Sequence, residues 1–219
     1  MSKEKDELKT RALKIFEILE KEYPDARILL KSNNPFQLLV ATILSAQCTD
    51  ERVNMVTPKL FERYPDPESL ANANRAELEG LIRSTGFYRN KAKSLLNMSR
   101  ALVEKYGGKV PESVGELAKL PGVGRKTGSV VAGNYFGAPV IIVDTHVKRV
   151  TGRLGLSGEN DPDKIEAGLK ELIPENIQTR FSYVINFHGR FTCKARKPDC
   201  GNCSVSDYCD YARENESES

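Results

Sequence analysis

A turn of four residues, Pro121-Gly122-Val123-Gly124, constrains this sequence more than any other feature. The segment before it, 113–120, has apolar residues at helical spacing. This segment begins with Ser113 and has Glu116 three residues later, which is the spacing of a capping box. The proline of the turn ends the first helical pattern, and a second one begins at Arg125. The sequence therefore predicts two helices joined by a tight turn.

A turn of this kind can bind a phosphate group of a nucleic acid. Its glycines allow backbone conformations that leave N–H groups pointing outward, at the positive end of the second helix. Such N–H groups form a binding site for a phosphate oxygen. The residues that we expect to bind DNA here are Gly122, Val123, Gly124 and Arg125. The pattern is typical of the helix-hairpin-helix motif, and the alternative is a simple connection between two helices.

Lys126 and Asp144 are the candidate catalytic residues. A lysine acts as a nucleophile only as the free amine, which burial or a neighbouring positive charge such as that of Arg125 favours. The alternative is that Lys126 only contacts phosphate. Asp144 follows the apolar run 140–143 and begins another helical pattern, where the carboxylate is either catalytic or a helix cap alone. The sequence allows both residues to share one cleft but does not require it.

The local distribution of charge favours a polyanionic partner. The 219-residue chain has a formal net charge of only +3, but three of its segments are strongly basic. Seven Lys or Arg occur in residues 81–110, five in residues 120–153 and four in residues 189–199, each set with a single acidic residue. Three basic clusters in a chain of small net charge are expected of a protein with one DNA-binding face.

The chain has no signal peptide and no apolar run near the roughly 18 residues that span a membrane. We therefore expect a soluble, cytoplasmic protein without a membrane partner, associated with the nucleoid if the source is a prokaryote. We also expect it to act as a monomer.

Four of the five cysteines lie within seventeen residues and form a candidate metal site. They are Cys193, Cys200, Cys203 and Cys209. In a reducing compartment four such thiols indicate a metal before disulfides, either a tetrahedral zinc ion or a cubane iron–sulfur cluster. Only one close C-x2-C pair is present, where zinc ribbons usually have two, so the spacing favours the cluster. The basic loop between the first two cysteines is expected to bind phosphate through Lys194, Arg196 and Lys197, which makes the metal structural.

Helical periodicity and caps recur along the chain, and no alternating segment of convincing length predicts a strand. The predicted fold class is all-α. With the features above in their order, the chain resembles the endonuclease III family of helix-hairpin-helix DNA glycosylases. The motifs that carry the resemblance are ILSAQCTD, GFYRNKA, LPGVGRKT, VDTH, HGRFTC and the cysteine spacing, which together cover about residues 8–211.

The resemblance implies two helical domains that flank a DNA-binding cleft. One would be a six-helix domain, 27–137, which ends in the helix-hairpin-helix. The other would be discontinuous, 1–26 with 138–219, and would carry a [4Fe-4S] cluster in its C-terminal four-cysteine loop.

The resemblance also assigns roles to individual residues. Lys126 falls on the catalytic lysine of the family and Asp144 on its catalytic aspartate, while His146 belongs to the DNA-binding VDTH motif. Gln47 falls on the residue that fills the gap left by an extruded nucleotide, and Phe87 takes the position of an intercalating leucine. Phe87, Gly128 and Cys48 depart from the residues usual in the family.

The function implied is that of a bifunctional DNA glycosylase and abasic-site lyase of base excision repair. Its partner would be double-stranded DNA with oxidised pyrimidines or abasic sites, processed by base flipping, a lysine Schiff base and β-elimination. Two alternatives remain open. One is a monofunctional mismatch or uracil/thymine glycosylase of the same superfamily, and the other is a non-catalytic DNA-binding helix-hairpin-helix protein.

Overall fold

The computed structural model describes residues 3–216, and it contains helices but no strands in this range. The all-α prediction is therefore confirmed. The α-helices are α1 (Lys3–Glu22), α2 (Pro35–Leu44), α3 (Asp50–Arg63), α4 (Pro67–Ala71), α5 (Arg75–Ile82), α6 (Tyr88–Tyr106), α7 (Val114–Leu117), α8 (Arg125–Tyr135), α9 (Thr145–Arg153), α10 (Pro162–Leu172), α11 (Gln178–Phe191) and α12 (Asp210–Glu216). Short 3₁₀ turns occupy Arg83–Thr85, Glu175–Ile177, Cys200–Asn202 and Ser206–Tyr208. None of the helices in the described range is both long enough and apolar enough to cross a bilayer.

The chain divides into two units. We call Ile28–Ala138 the central unit, and Met1–Arg27 together with Pro139–Ser219 the terminal unit.

The central unit is built around α2. This helix begins after Asn34, whose side chain accepts a hydrogen bond from the N–H of Gln37, and it has Pro35 in its first turn. Seven of its ten residues are buried, because its sequence is apolar on nearly every side. α3, α6 and α8 pack against it, so the hairpin helix α8 is fixed to the hydrophobic core.

The predicted capping box before α7 is only half formed. The Ser113 side chain accepts a hydrogen bond from the N–H of Glu116, as expected. The carboxylate of Glu116 instead accepts hydrogen bonds from the Tyr106 hydroxyl and the Lys119 ammonium. These partners lie outside the four-residue pattern, and the bond from Tyr106 ties the short helix α7 to the end of α6.

The terminal unit joins the beginning of the chain to its end. α1 places Ile15 and Leu19 in a core shared with Val150, Leu169 and Phe181. The guanidinium of Arg11 donates to Asp210 at 2.5 Å and to the carbonyl oxygen of Gly155 at 2.9 Å. Arg11 therefore joins the first helix to residues that lie 144 and 199 positions further along the chain.

Candidate functional site

The turn between α7 and α8 accepts only glycine at its second position. Gly122 has a φ of 75°, and a Cβ atom built there would lie 2.6 Å from the Cβ of Ser94 on α6. Side-chained residues rarely adopt this backbone conformation, and no real contact is that short. The close approach fixes the turn against α6.

The beginning of α8 has no side chain to cap it, because its N-cap residue is Gly124. The first N–H groups of a helix have no partner within it, and here no cap oxygen competes for them. Val123 contributes differently from what the sequence suggested. Its side chain is buried and its N–H donates to the carbonyl of Leu120, so Val123 holds the turn together.

Lys126 lies in the first turn of α8 with an exposed side chain. Its neighbour Arg125 is exposed as well, and the first turn contains no acidic residue. Lys126 is thus accessible to solvent. It lies at the start of α8, whose first N–H groups have no side-chain cap.

Asp144 is held by hydrogen bonds to both of its carboxylate oxygens. It is the N-cap of α9, and Oδ1 accepts from the N–H of His146 at 2.9 Å and of Val147 at 2.8 Å. Oδ2 accepts from Nδ2 of Asn186 on α11 at 2.5 Å. The Nε–H of Arg190 donates to Oδ1 of the same asparagine at 2.8 Å, which orients the amide toward Asp144.

Sequence reasoning missed Asn186. It stands 42 residues from Asp144, and only the regular helical spacing from Asn186 to Arg190 hints that both lie on one face of α11.

His146 is half-buried and lies on the side of α9 that faces α11. Its Nδ1 is 3.3 Å from a nitrogen of Arg149, which also donates to the carbonyl oxygens of Gly189 and Cys193. Gly189 allows this packing, because a Cβ there would lie 3.0 Å from the Cβ of His146. The Arg149 guanidinium therefore links α9, which Asp144 caps, to Cys193, the first of the four clustered cysteines.

Three predicted DNA-binding residues share an uncommon backbone conformation. Gln47, Phe87 and Lys197 have φ values of 52°, 46° and 53°, and they are the non-glycine residues with positive φ in the described part of the chain. All three side chains are exposed, and Phe87 retains 63% of its accessible surface. Such conformations cost about 1–3 kcal/mol each and cluster at functional sites. The backbone thus holds these side chains outward at a cost in folding energy.

The four clustered cysteines line one cavity, as a shared ligand requires. None of the four is paired in a disulfide bond. Burial raises the pKa of Cys203 to about 11 and also raises that of Cys209. A bound metal deprotonates its thiol ligands, so the binding of iron would release protons from this site. One cavity lined by four thiols fits a cluster of several metal atoms.

The basic loop after Cys193 is fixed by Arg153. Its guanidinium donates to the carbonyl oxygens of Lys194 and Ala195, and to the sulfur of Cys193 at 3.3 Å. The side chains of Lys194, Arg196 and Lys197 are exposed. Arg153, which the sequence indicated only as one of the basic residues in 120–153, therefore links Cys193, a predicted metal ligand, to the loop that presents three positive charges.

Comparison with known proteins gives the class to which this fold and site belong. Residues 40–175 match the HhH-GPD superfamily base excision DNA repair proteins, and residues 193–209 match the iron-sulfur binding domain of endonuclease III. The second match covers the four cysteines, so the prediction of a [4Fe-4S] cluster is confirmed.

Comparison with individual relatives identifies the family within this superfamily. Endonuclease III from Synechocystis sp. is 53% identical over 206 residues, which are 94% of each chain. A solved structure of a non-covalent endonuclease III–DNA complex has a TM-score of 0.90 and 41% identity, covering 95% of this chain and 98% of the other. A trapped endonuclease III–DNA covalent intermediate has the same TM-score with 42% identity over the same shares of the two chains. The chain belongs to the endonuclease III family of bifunctional DNA glycosylase/lyases.

Proposed function

We propose that this protein removes oxidised pyrimidines from double-stranded DNA and then cuts the strand at the resulting abasic site. The observation that carries the proposal is an exposed lysine, Lys126, at a helix start whose cap residue has no side chain. The N–H groups there can bind a phosphate, while the lysine extends from the same turn. A relative solved as a trapped covalent complex with DNA supports covalent chemistry by such a residue.

The target nucleotide must first leave the DNA duplex. Extrusion costs a few kcal/mol and costs least for a base that stacks poorly, as a saturated pyrimidine does. Gln47 and Phe87 would fill the vacated space, and their exposed side chains on left-handed residues suit that role. The turn at Gly122 and Gly124, with Arg125 beside it, would hold a phosphate of the same strand, and His146 would contribute a further contact.

Lys126 would supply the nucleophile. Its free amine attacks C1′ of the sugar, and the base departs with the electron pair of the glycosidic bond and takes up a proton. Opening of the sugar ring gives a Schiff base between Lys126 and C1′. Loss of a proton from C2′ then expels the 3′ phosphate by β-elimination, and hydrolysis of the Schiff base frees the lysine.

Asp144 would stabilise the positive charge that develops on the sugar as the base departs. A carboxylate is effective in this role when its orientation is fixed before the reaction. The hydrogen bonds from His146, Val147 and Asn186 fix Asp144 from both oxygens.

The [4Fe-4S] cluster would be held by Cys193, Cys200, Cys203 and Cys209. When bound, it cross-links a segment that has only short 3₁₀ turns of its own. Lys194, Arg196 and Lys197 then form a basic loop fixed at its two cysteine ends and by Arg153, which suits contact with a DNA phosphate.

Trapping with borohydride tests the chemistry. We expect single-lesion duplexes with thymine glycol or an abasic site to form a covalent adduct through Lys126 when borohydride is added during turnover. Lys126→Ala should lose the adduct and the lyase activity, with affinity for the abasic duplex kept within about threefold, or about 0.65 kcal/mol. Lys164→Ala is the matched control, because Lys164 is also exposed in the first turn of a helix. An active enzyme that forms no adduct would exclude the amine mechanism.

The same duplexes distinguish the proposed activity from the two alternative functions. A monofunctional glycosylase would release a base but leave the abasic strand uncut, and a non-catalytic DNA-binding protein would do neither. Because the relatives above include a bacterial enzyme, we further propose action on nucleoid DNA in the cytoplasm. We also propose that the protein acts as a monomer. Sedimentation of the protein with and without DNA tests whether it is a monomer in both states.

A further inference from the structure

Lys91 is a buried lysine without a part in the proposed chemistry. It lies in the first turn of α6 and retains only 6% of its accessible surface. Burial lowers the pKa of its ammonium group. A buried charge is costly unless hydrogen bonds compensate it, so the partners of this group indicate what it does.

The partners of Lys91 are two backbone carbonyl groups from different segments. Nζ donates to the carbonyl oxygen of Leu44 at 2.7 Å and to that of Thr85, also at 2.7 Å. Leu44 is the last residue of α2, and Thr85 is the last residue of the 3₁₀ turn Arg83–Thr85. Carbonyl groups at helix ends lack intrahelical partners and attract cations. Because both oxygens bond to one nitrogen, they are separated by no more than twice 2.7 Å.

Each of these carbonyl groups shortly precedes an exposed left-handed residue. Gln47 follows Leu44 by three residues, and Phe87 follows Thr85 by two. The two turns are distant in sequence but are held at a fixed spacing by a single ammonium group. A neutral apolar side chain at position 91 would fill the same volume but could not bond to either carbonyl.

We propose that Lys91 is a positioning residue, which sets the spacing of the Gln47 and Phe87 turns so that both side chains enter the DNA duplex together. The inference rests on the proposed function, because it requires Gln47 and Phe87 to occupy the space left by an extruded nucleotide. Lys91 itself does not touch DNA in this scheme. Its effect is therefore expected to be largest in the step in which a base leaves the stack.

The test compares two reactions of the holoenzyme under single-turnover conditions. Base release from a thymine glycol duplex requires extrusion of a base, whereas cleavage of an abasic duplex does not. Lys91→Met should slow base release at least about tenfold and change abasic cleavage by less than about threefold. Lys91→Gln keeps an N–H donor, so it should slow base release less than Lys91→Met does. It replaces Lys91→Met in the test if that variant does not fold.

Leu102→Ala is the matched control for stability. Leu102 is fully buried near the other end of α6, so its truncation weakens the same helix without altering the two carbonyl contacts. A merely structural role of Lys91 predicts that base release and abasic cleavage fall together, as expected for Leu102→Ala. That result would overturn the inference.

A double-mutant cycle separates this inference from the function on which it rests. If Lys91 acts through the two turns, Phe87→Ala should cost less in the Lys91→Met background than in the unaltered enzyme. If Gln47→Ala and Phe87→Ala leave base release unchanged in the unaltered enzyme, the proposed role of those residues fails, and the inference fails with it. If they slow base release but their effects add to that of Lys91→Met, only the inference fails.

Discussion

At the scale of single residues, Asp144 combines two tasks that can be separated by substitution. Its Oδ1 caps α9 through two N–H groups, and its Oδ2 bonds to Asn186. Asparagine caps a helix about as well as aspartate does but carries no charge. A change to asparagine therefore retains the cap and removes the charge.

We expect Asp144→Asn to retain the cap but to destabilise the protein by about 1–3 kcal/mol, because the new amide nitrogen would face Nδ2 of Asn186 where an acceptor oxygen now stands. Base release should slow by more than about tenfold, because the positive charge on the sugar loses its counter-charge. Denaturant unfolding and single-turnover base release measure the two effects. A rate within about threefold of the unaltered enzyme, or about 0.65 kcal/mol in the barrier, would mean that Asp144 is only a cap.

The residues found from the sequence are those with local signals. A helix start, a glycine turn or a proline can be recognised from four or five consecutive residues, so Lys126 and Asp144 could be placed at helix starts. Asn186 and Lys91 could not be found in this way, because Asn186 bonds to a residue 42 positions away, and one of the two partners of Lys91 lies 47 positions away. Their roles depend on tertiary packing, which the helical period alone does not specify.

At the scale of elements, the hairpin depends on one close approach. Gly122 lies against Ser94 of α6, whereas a Cβ atom added at Gly115 within α7 would meet nothing within 4 Å. The glycines correctly predict a turn. The sequence does not show, however, whether a given glycine is needed because a side chain would collide there or only because of its backbone conformation. The half-formed capping box at Ser113 has a similar cause, because Tyr106 is a tertiary partner for Glu116.

We expect Gly122→Ala to destabilise the protein by about 1–3 kcal/mol, through a strained φ and a collision with Ser94. Gly115→Ala is the control and should be neutral or stabilising by up to about 1 kcal/mol, because alanine favours a helix. Chemical denaturation of both variants measures the difference. Equal stability of the two variants would contradict the steric account of the turn.

At the scale of the molecule, the two units have different sources of stability. The central unit has α2 at its core, buried on nearly all sides, whereas the terminal unit contains a segment before α12, 193–209, in which the structure shows only 3₁₀ turns. The four cysteines that we propose as ligands of the cluster all lie in that segment. Iron should therefore matter for the order of the terminal unit and much less for that of the central one.

We expect removal of iron, by chelation or by Cys203→Ser, to increase hydrogen exchange in residues 193–209 by more than about tenfold. Exchange in α2 should change by less than about threefold, because its hydrogen bonds are enclosed in an apolar core. Hydrogen exchange measured by mass spectrometry on the iron-loaded and iron-free protein checks both expectations. A parallel increase in both segments would show that the two units unfold as one.

The packing of α1 against α10 and α11 also has a consequence for biosynthesis. A ribosome produces the chain from its amino end, so the amphipathic first helix leaves the exit tunnel long before its packing partners exist. The central unit can fold during that interval, while the first helix has to wait with its apolar face uncovered. The four clustered cysteines emerge after the whole of the central unit, so iron delivery must follow the synthesis of that unit.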